Sequence, residues 1–220
     1  MTIDGTTEVV SILAQRLGPP PRFVELGYDF PAGLDPRLER TLTEYVVAVL
    51  AALGFDNGIA HVQLRLVDGV PKIVEVNPRP PGGWLGSLNK VVSGVDLIRA
   101  LVGATLGRPL ERGRPAATHA RYRCVVFDRA GLVDYDPTAL SAPASDDDPS
   151  GPLVSMDVSP GDMVLPLGHP DGGVYGRTVV FGQDPGELDE QCRRIDDQLG
   201  VRVTSLPSPT TVAGAGPPRW

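Results

Sequence analysis

The sequence predicts an α+β fold, with an antiparallel sheet and helices in the first half and a β-rich region after about residue 115. Three observations lead there. A capped amphipathic helix begins after Asp35, two alternating runs between His61 and Asn77 read as a hairpin, and from Ala117 onward short β-like runs alternate with turn residues. With 220 residues, 41% of them hydrophobic, the chain can build one large domain or two small ones and is not of disordered composition.

The elements follow in order. "EVVSILAQRLG" reads as extended and is closed by Pro19, Pro20 and Pro21. "RFVEL" reads as a strand and "GYDFPAGLD" as a turn-rich connection. Asp35 is an acceptor cap, and Pro36 fits the first helical position because its missing N–H would have no partner there. Leu38, Leu42, Tyr45, Val46, Val49 and Leu53 then recur at helical spacing until Gly54.

In the hairpin, the apolar set selects the register, since a slip of one residue would turn every side chain to the other face. Pairing Val62 with Val76 and Leu64 with Val74 buries all four. The other face then carries His61 across from Asn77, Gln63 across from Glu75 and Arg65 across from Ile73. That register requires a three-residue connection, Asp68-Gly69-Val70.

A helix is expected from about Val95 to Leu106, stopped by Gly107. The runs "HARYRCVVFD", "GLVDYD", "PLVSMDV", "MVLPL" and "YGRTVVFG" read as strands. "SAPASDDDPSG" reads as a mobile loop, and its Asp146–Asp148 run as solvated residues rather than a metal site. The last helix, "PGELDEQCRRIDDQLG", puts Leu188, Cys192, Ile195 and Leu199 on one face. Residues 205–220 read as a disordered tail.

Composition excludes several function classes. The net charge of −7, with no basic block, argues against nucleic-acid binding, which needs clustered Lys and Arg. No apolar run approaches the roughly 20 residues that span a bilayer, and "MTIDGTTEVV" lacks the pattern of a secretory signal, so the cytoplasm is expected. Cys124 and Cys192 have no metal or redox spacing and read as two reduced thiols. His119 and His169 stand alone and read as surface or packing residues.

The stretch that carries chemistry is "GIAHVQLRLVDGVPKIVEVNPRPPGG". Glu75 and Asn77, two apart on a strand, share a face. A carboxylate and an amide oxygen are hard ligands of the kind Mg²⁺ takes together with phosphate oxygens and water. Arg79 continues the alternation and can hold a carboxylate or phosphate through two parallel hydrogen bonds. Gly82 and Gly83 allow a substrate close to the backbone. The same residues also suit plain turn chemistry at a strand end.

The hairpin, the "E-x-N-x-R" order and the glycine pair resemble the ATP-grasp superfamily. Similarity extends over roughly residues 5 to 204 through "PPPRFVELGYDFPAGLD", the Asp35–Leu53 helix and "GVDLIRALVGATLG". It is nearest to the carboxylate–amine ligases that join amino acids, including dipeptide-forming enzymes. The resemblance implies a C-terminal ATP-grasp lobe at 1–114, bearing the metal, ATP and substrate side, then a β-rich, lid-like subdomain at 115–204.

It further implies ATP with Mg²⁺ (or Mn²⁺) as cofactors, and Glu75, Asn77 and Gln63 as metal ligands beside the nucleotide. Gln63 stands where the family has a glutamate, which removes one charge and puts a second metal in question. His61 is either structural or a polar neighbour of the phosphates. Arg79 is the catalytic and substrate contact, with Gly82 and Gly83 beside the substrate. Arg177, in a lid-like stretch, is a weaker candidate for the same contact.

The implied reaction activates a carboxylate as an acyl phosphate for attack by an amine. The family's nucleotide-covering lobe has no counterpart here. Three readings stay open: a ligase half that acts with a separately encoded N-terminal half or is truncated by a misassigned start, a catalytically weak or inactive binding module, or a remnant. The expected partners are small-molecule carboxylate and amine substrates, with such an N-terminal half or a homo-oligomer.

Overall fold

A computed structural model of the chain describes residues 1–141 and 151–205. Most of the expected loop, with Asp146–Asp148, and nearly all of the expected tail lie outside the described residues.

The chain opens with a small hairpin, β1 (Thr2–Ile3) and β2 (Thr6–Thr7), followed by β3 (Ala14–Leu17) and β4 (Glu25–Phe30). Helix α1 (Pro36–Ala52) comes next, then the hairpin β5 (His61–Val67) and β6 (Val70–Asn77), and helices α2 (Leu85–Ser93) and α3 (Leu97–Thr105). The second half contains β7 (His119–Val125), β8 (Gly131–Asp134), β9 (Leu153–Met156), β10 (Met163–Val164), β11 (Gly176–Gly182), α4 (Pro185–Leu199) and β12 (Arg202–Thr204).

The main sheet has the order β3-β4-β7-β11-β9, every pairing antiparallel. Strands from both sides of residue 115 therefore share it. Alternation along these strands feeds two cores. Tyr28, Phe30, Ala120, Tyr122 and Val179 pack against Leu85, Leu88, Val91 and Val92 of α2. Val180 on the opposite face belongs to the cluster of Leu188, Cys192, Ile195 and Leu199, the face of α4 that its spacing predicts. Burial of each Val, Leu, Ile or Phe among these stabilises by about 1.5–3 kcal/mol. Arg121 also ties α4 to the sheet: it reaches Asp29 of β4 at 2.6 Å and Asp189 of α4, and Arg123 pairs with Asp196.

Local chemistry explains the boundaries of α1. The Asp35 carboxylate accepts from the amides of Arg37 and Leu38 at 2.9 and 3.1 Å, and Gly54 at φ +66 ends the run.

Several expectations need correction. The strand expected at Arg22–Leu26 lies at Glu25–Phe30, because Phe23 is at φ +47 and cannot continue an extended chain. Gly27, at φ +146, lets β4 approach β7 so closely that a Cβ there would meet the Tyr122 carbonyl oxygen at 2.0 Å. The helix expected from Val95 begins at Leu97, and a second helix, α2, precedes it. The hairpin connection has two residues rather than three: Asp68 and Gly69 take φ +52 and +76, the positive values that two-residue hairpin turns favour.

The shorter turn also changes the pairing. Counting back from it, Val67 faces Val70, Arg65 faces Lys72 and Leu64 faces Ile73. A bulge then absorbs Val74, leaving it 56% exposed, while Val62, Leu64 and Val76 are half-buried. Leu64 therefore does not pair with Val74, nor Arg65 with Ile73, and Val74 is not buried.

Candidate functional site

The bulge places the site's side chains. Without it, the two-residue turn would set Gln63 opposite Val74 and His61 opposite Val76. With it, Gln63 stands opposite Glu75 and His61 opposite Asn77. Four polar residues thus share one face at the open end of the hairpin. The Asn77 side-chain amide donates to Glu75 Oε1 at 2.8 Å, so the two residues form one unit.

Arg79 follows two residues beyond β6. Its backbone amide donates to the Asn77 carbonyl at 2.8 Å and its Nη1 to the Pro80 carbonyl at 3.0 Å, which fixes the turn and leaves the exposed guanidinium with further donors. Gly82 and Gly83 are exposed, and open space lies where a Cβ would stand at either. Gly83, at φ +60, suits glycine on backbone grounds as well.

His61 is half-buried, and its Nδ1 is buried without a hydrogen-bond partner. Burial holds its pKa below the ordinary value. The Arg79 charge adds to that, and the Glu75 and Glu25 carboxylates oppose it. At neutral pH the ring is uncharged.

The influence of Glu25 on His61 joins the hairpin to a group that sequence reasoning missed. The Tyr28 hydroxyl donates to Glu25 Oε2 at 2.6 Å, and Gln15 Nε2 donates to Tyr28 Oη at 3.0 Å and to Glu25 Oε2 at 3.3 Å. Tyr28 pairs with Tyr122 across β4 and β7, and Cys124 pairs with Arg177 across β7 and β11. Burial pushes the Tyr122 hydroxyl up to about 12, and burial with the Glu25 contact raises that of Tyr28, so both stay protonated donors. Arg177 is paired with Asp157 at 2.7 Å. No periodicity marks this group, because the partners come from strands far apart in sequence and meet only in the sheet.

The donor set on the hairpin fits a divalent cation of the magnesium kind. Glu75, Asn77 and Gln63 offer hard oxygens with one negative charge among them, a set that phosphate oxygens and water would have to complete. Among the described residues there is no group of three or more His, Cys, Asp or Glu able to hold a metal ion unaided.

The chain has the mixed α/β fold of an ATP-grasp lobe, and the solved structures that share it include ligases and biotin carboxylases. It matches phosphoribosylglycinamide synthetase from Anaerococcus prevotii with a TM-score of 0.71 and 13% identity, over 93% of this chain and 51% of that one. It matches an L-amino acid ligase from Bacillus licheniformis with a TM-score of 0.70 and 23% identity, over 94% of this chain and 50% of that one.

In sequence it is homologous to human carnosine synthase 1, with 33% identity over 126 residues, 57% of this chain and 15% of that protein. It spans about half of the two solved chains and 27% or less of the curated relatives it matches. No family model matches it.

Proposed function

We propose that this chain supplies the metal and carboxylate side of an ATP-dependent carboxylate–amine ligase and needs further polypeptide to turn over. The observation that carries the reading is the convergence of Gln63, Glu75 and Asn77 on one face of a bulged hairpin, within a fold shared with such ligases. A magnesium ion bound there with ATP would offset the charge that gathers on a transferring phosphoryl group.

The roles of the chain's own residues follow from their chemistry. Glu75 provides the charged ligand oxygen, and Asn77 and Gln63 provide neutral ones. Arg79 takes the substrate carboxylate, or a phosphate, in the plane of its guanidinium. Gly82 and Gly83 leave the backbone accessible beside it. Neutral His61 adds no charge to that face, and Glu25, braced by Tyr28 and Gln15, suits an incoming ammonium group. The substrate carboxylate would take the γ-phosphoryl group of ATP with release of ADP, and an amine would then attack the acyl phosphate carbon, expelling inorganic phosphate and leaving the amide.

One observation favours a second reading, a binding module without turnover. Gln63 supplies a neutral oxygen opposite Glu75, which leaves the hairpin face with one carboxylate for a metal.

Titration calorimetry of the full chain with Mg-ADP tests the proposal. Weak binding that disappears in Glu75→Ala when metal is present, with Arg79→Ala weakening carboxylate binding instead, is the expected outcome. Metal-independent binding that Glu75→Ala leaves unchanged would overturn it.

A further inference from the structure

The polar face of the hairpin continues past Glu75. One same-face step beyond Gln63 lies Arg65, and the two-residue turn sets Lys72 directly opposite it, while the bulge at Val74 sets Glu75 opposite Gln63. Both are exposed. Like charges at directly opposed strand positions are destabilising. Carboxylates are abundant in a chain of net charge −7, yet among the described residues neither cation has an acidic partner.

Arg65 is also held in place. Its guanidinium lies 5.4 Å from the centroid of the Phe23 ring, and Phe23 is presented in the left-handed backbone region at φ +47, which costs an aromatic residue free energy. Stacking occupies the flat face of a guanidinium and leaves its in-plane N–H groups available. The result is an oriented cation with a second cation facing it. Successive same-face positions on a strand are roughly 7 Å apart. An anion held between Arg65 and Lys72 is therefore within reach of a cation ligated at Glu75.

We infer that Arg65 and Lys72 form a two-cation seat for a phosphate group of a polyphosphate ligand, next to the Gln63–Glu75 pair. This rests on the hairpin face being the binding face proposed above. The unfavourable opposition of charges becomes favourable once a phosphate bridges them.

Inorganic tripolyphosphate, titrated without metal at low salt, probes the seat directly. Wild-type chain binds it, and Lys72→Glu and Arg65→Gln each weaken binding by about tenfold or more, the scale of one charged hydrogen bond. Lys72→Glu also replaces opposed like charges by an ion pair, so it raises the melting temperature while abolishing the stabilisation that tripolyphosphate gives wild type. Equal binding by wild type and variants overturns the inference, as does a lowered melting temperature in Lys72→Glu.

Mg-ADP separates this inference from the functional reading. If binding of Mg-ADP depends on Glu75 but not on Lys72, the seat is wrong and the metal site stands. If tripolyphosphate binding depends on Lys72 while Mg-ADP binding ignores Glu75, the reverse holds. Absence of binding by either probe overturns both.

Discussion

Gln63→Glu restores a second carboxylate to the hairpin, and its effects should have opposite signs with and without metal. Gln63 pairs with Glu75 across the two strands, so the new carboxylate stands directly opposite an existing one. Without metal, opposed like charges at such a position cost about 1 kcal/mol at most, because Glu75 is exposed and screened. For a chain of this size that lowers the melting temperature by about 2–4 °C. A divalent cation between the carboxylates reverses the sign, and an added charged ligand should tighten Mg²⁺ binding by about tenfold or more. Thermal melts in EDTA and in millimolar Mg²⁺, with calorimetric Mg²⁺ titration, read both effects. Unchanged stability in EDTA together with unchanged Mg²⁺ affinity would show that residues 63 and 75 do not face each other.

Other perturbations test the fold and the site's surroundings. Gly27→Ala combines a left-handed backbone with a clash against the Tyr122 carbonyl, so it should cost about 3 kcal/mol or more, measured by denaturant unfolding. Leu88→Ala, at a position 1% exposed, should cost about 2–5 kcal/mol. Val74→Thr, at the exposed bulge, should stay within about 0.5 kcal/mol of wild type. His61 takes up its proton at lower pH when folded than when unfolded, so the unfolded state binds more protons just below its ordinary value and stability falls as pH drops through that range. Melts between about pH 7.5 and 5.5 should therefore show a smaller loss in His61→Asn than in wild type. The purified chain alone should form amide at the expense of ATP, releasing ADP and phosphate, far below an ordinary enzyme's rate of about 10 per second.

Where local chemistry decides structure, the sequence was legible. Asp35, Pro36 and Gly54 bracket α1 to within two residues. The five short runs after Ala117 all contain strands, because turn residues separate them, and the buried face of α4 is the one its spacing names. The hairpin was legible at its open end and not at its turn. Ile73 and Val74 are adjacent apolar residues, so no polar marker shows that one of them drops out of the ladder as a bulge.

Helix α2 was missed for a related reason. It starts at Trp84 without a side-chain cap, contains Asn89, Val91 and Val92, which are indifferent helix formers, and is held by burial against the main sheet. Gln63, Glu75 and Asn77 could be brought together from alternation alone, whereas Glu25, Tyr28 and Tyr122 could not, since their meeting depends on the pairing of β4 with β7.

The central claim is that a divalent cation and a nucleotide meet on the Gln63–Glu75–Asn77 face, and paramagnetic broadening tests it most directly. Substoichiometric Mn²⁺ added with ADP to isotopically labelled chain broadens amide signals near the bound ion. The account predicts that Gln63, Glu75 and Asn77 broaden first, that Arg79 and Gly82 follow, and that the pattern vanishes in Glu75→Ala. Broadening centred elsewhere, or an unchanged pattern in Glu75→Ala, would contradict it.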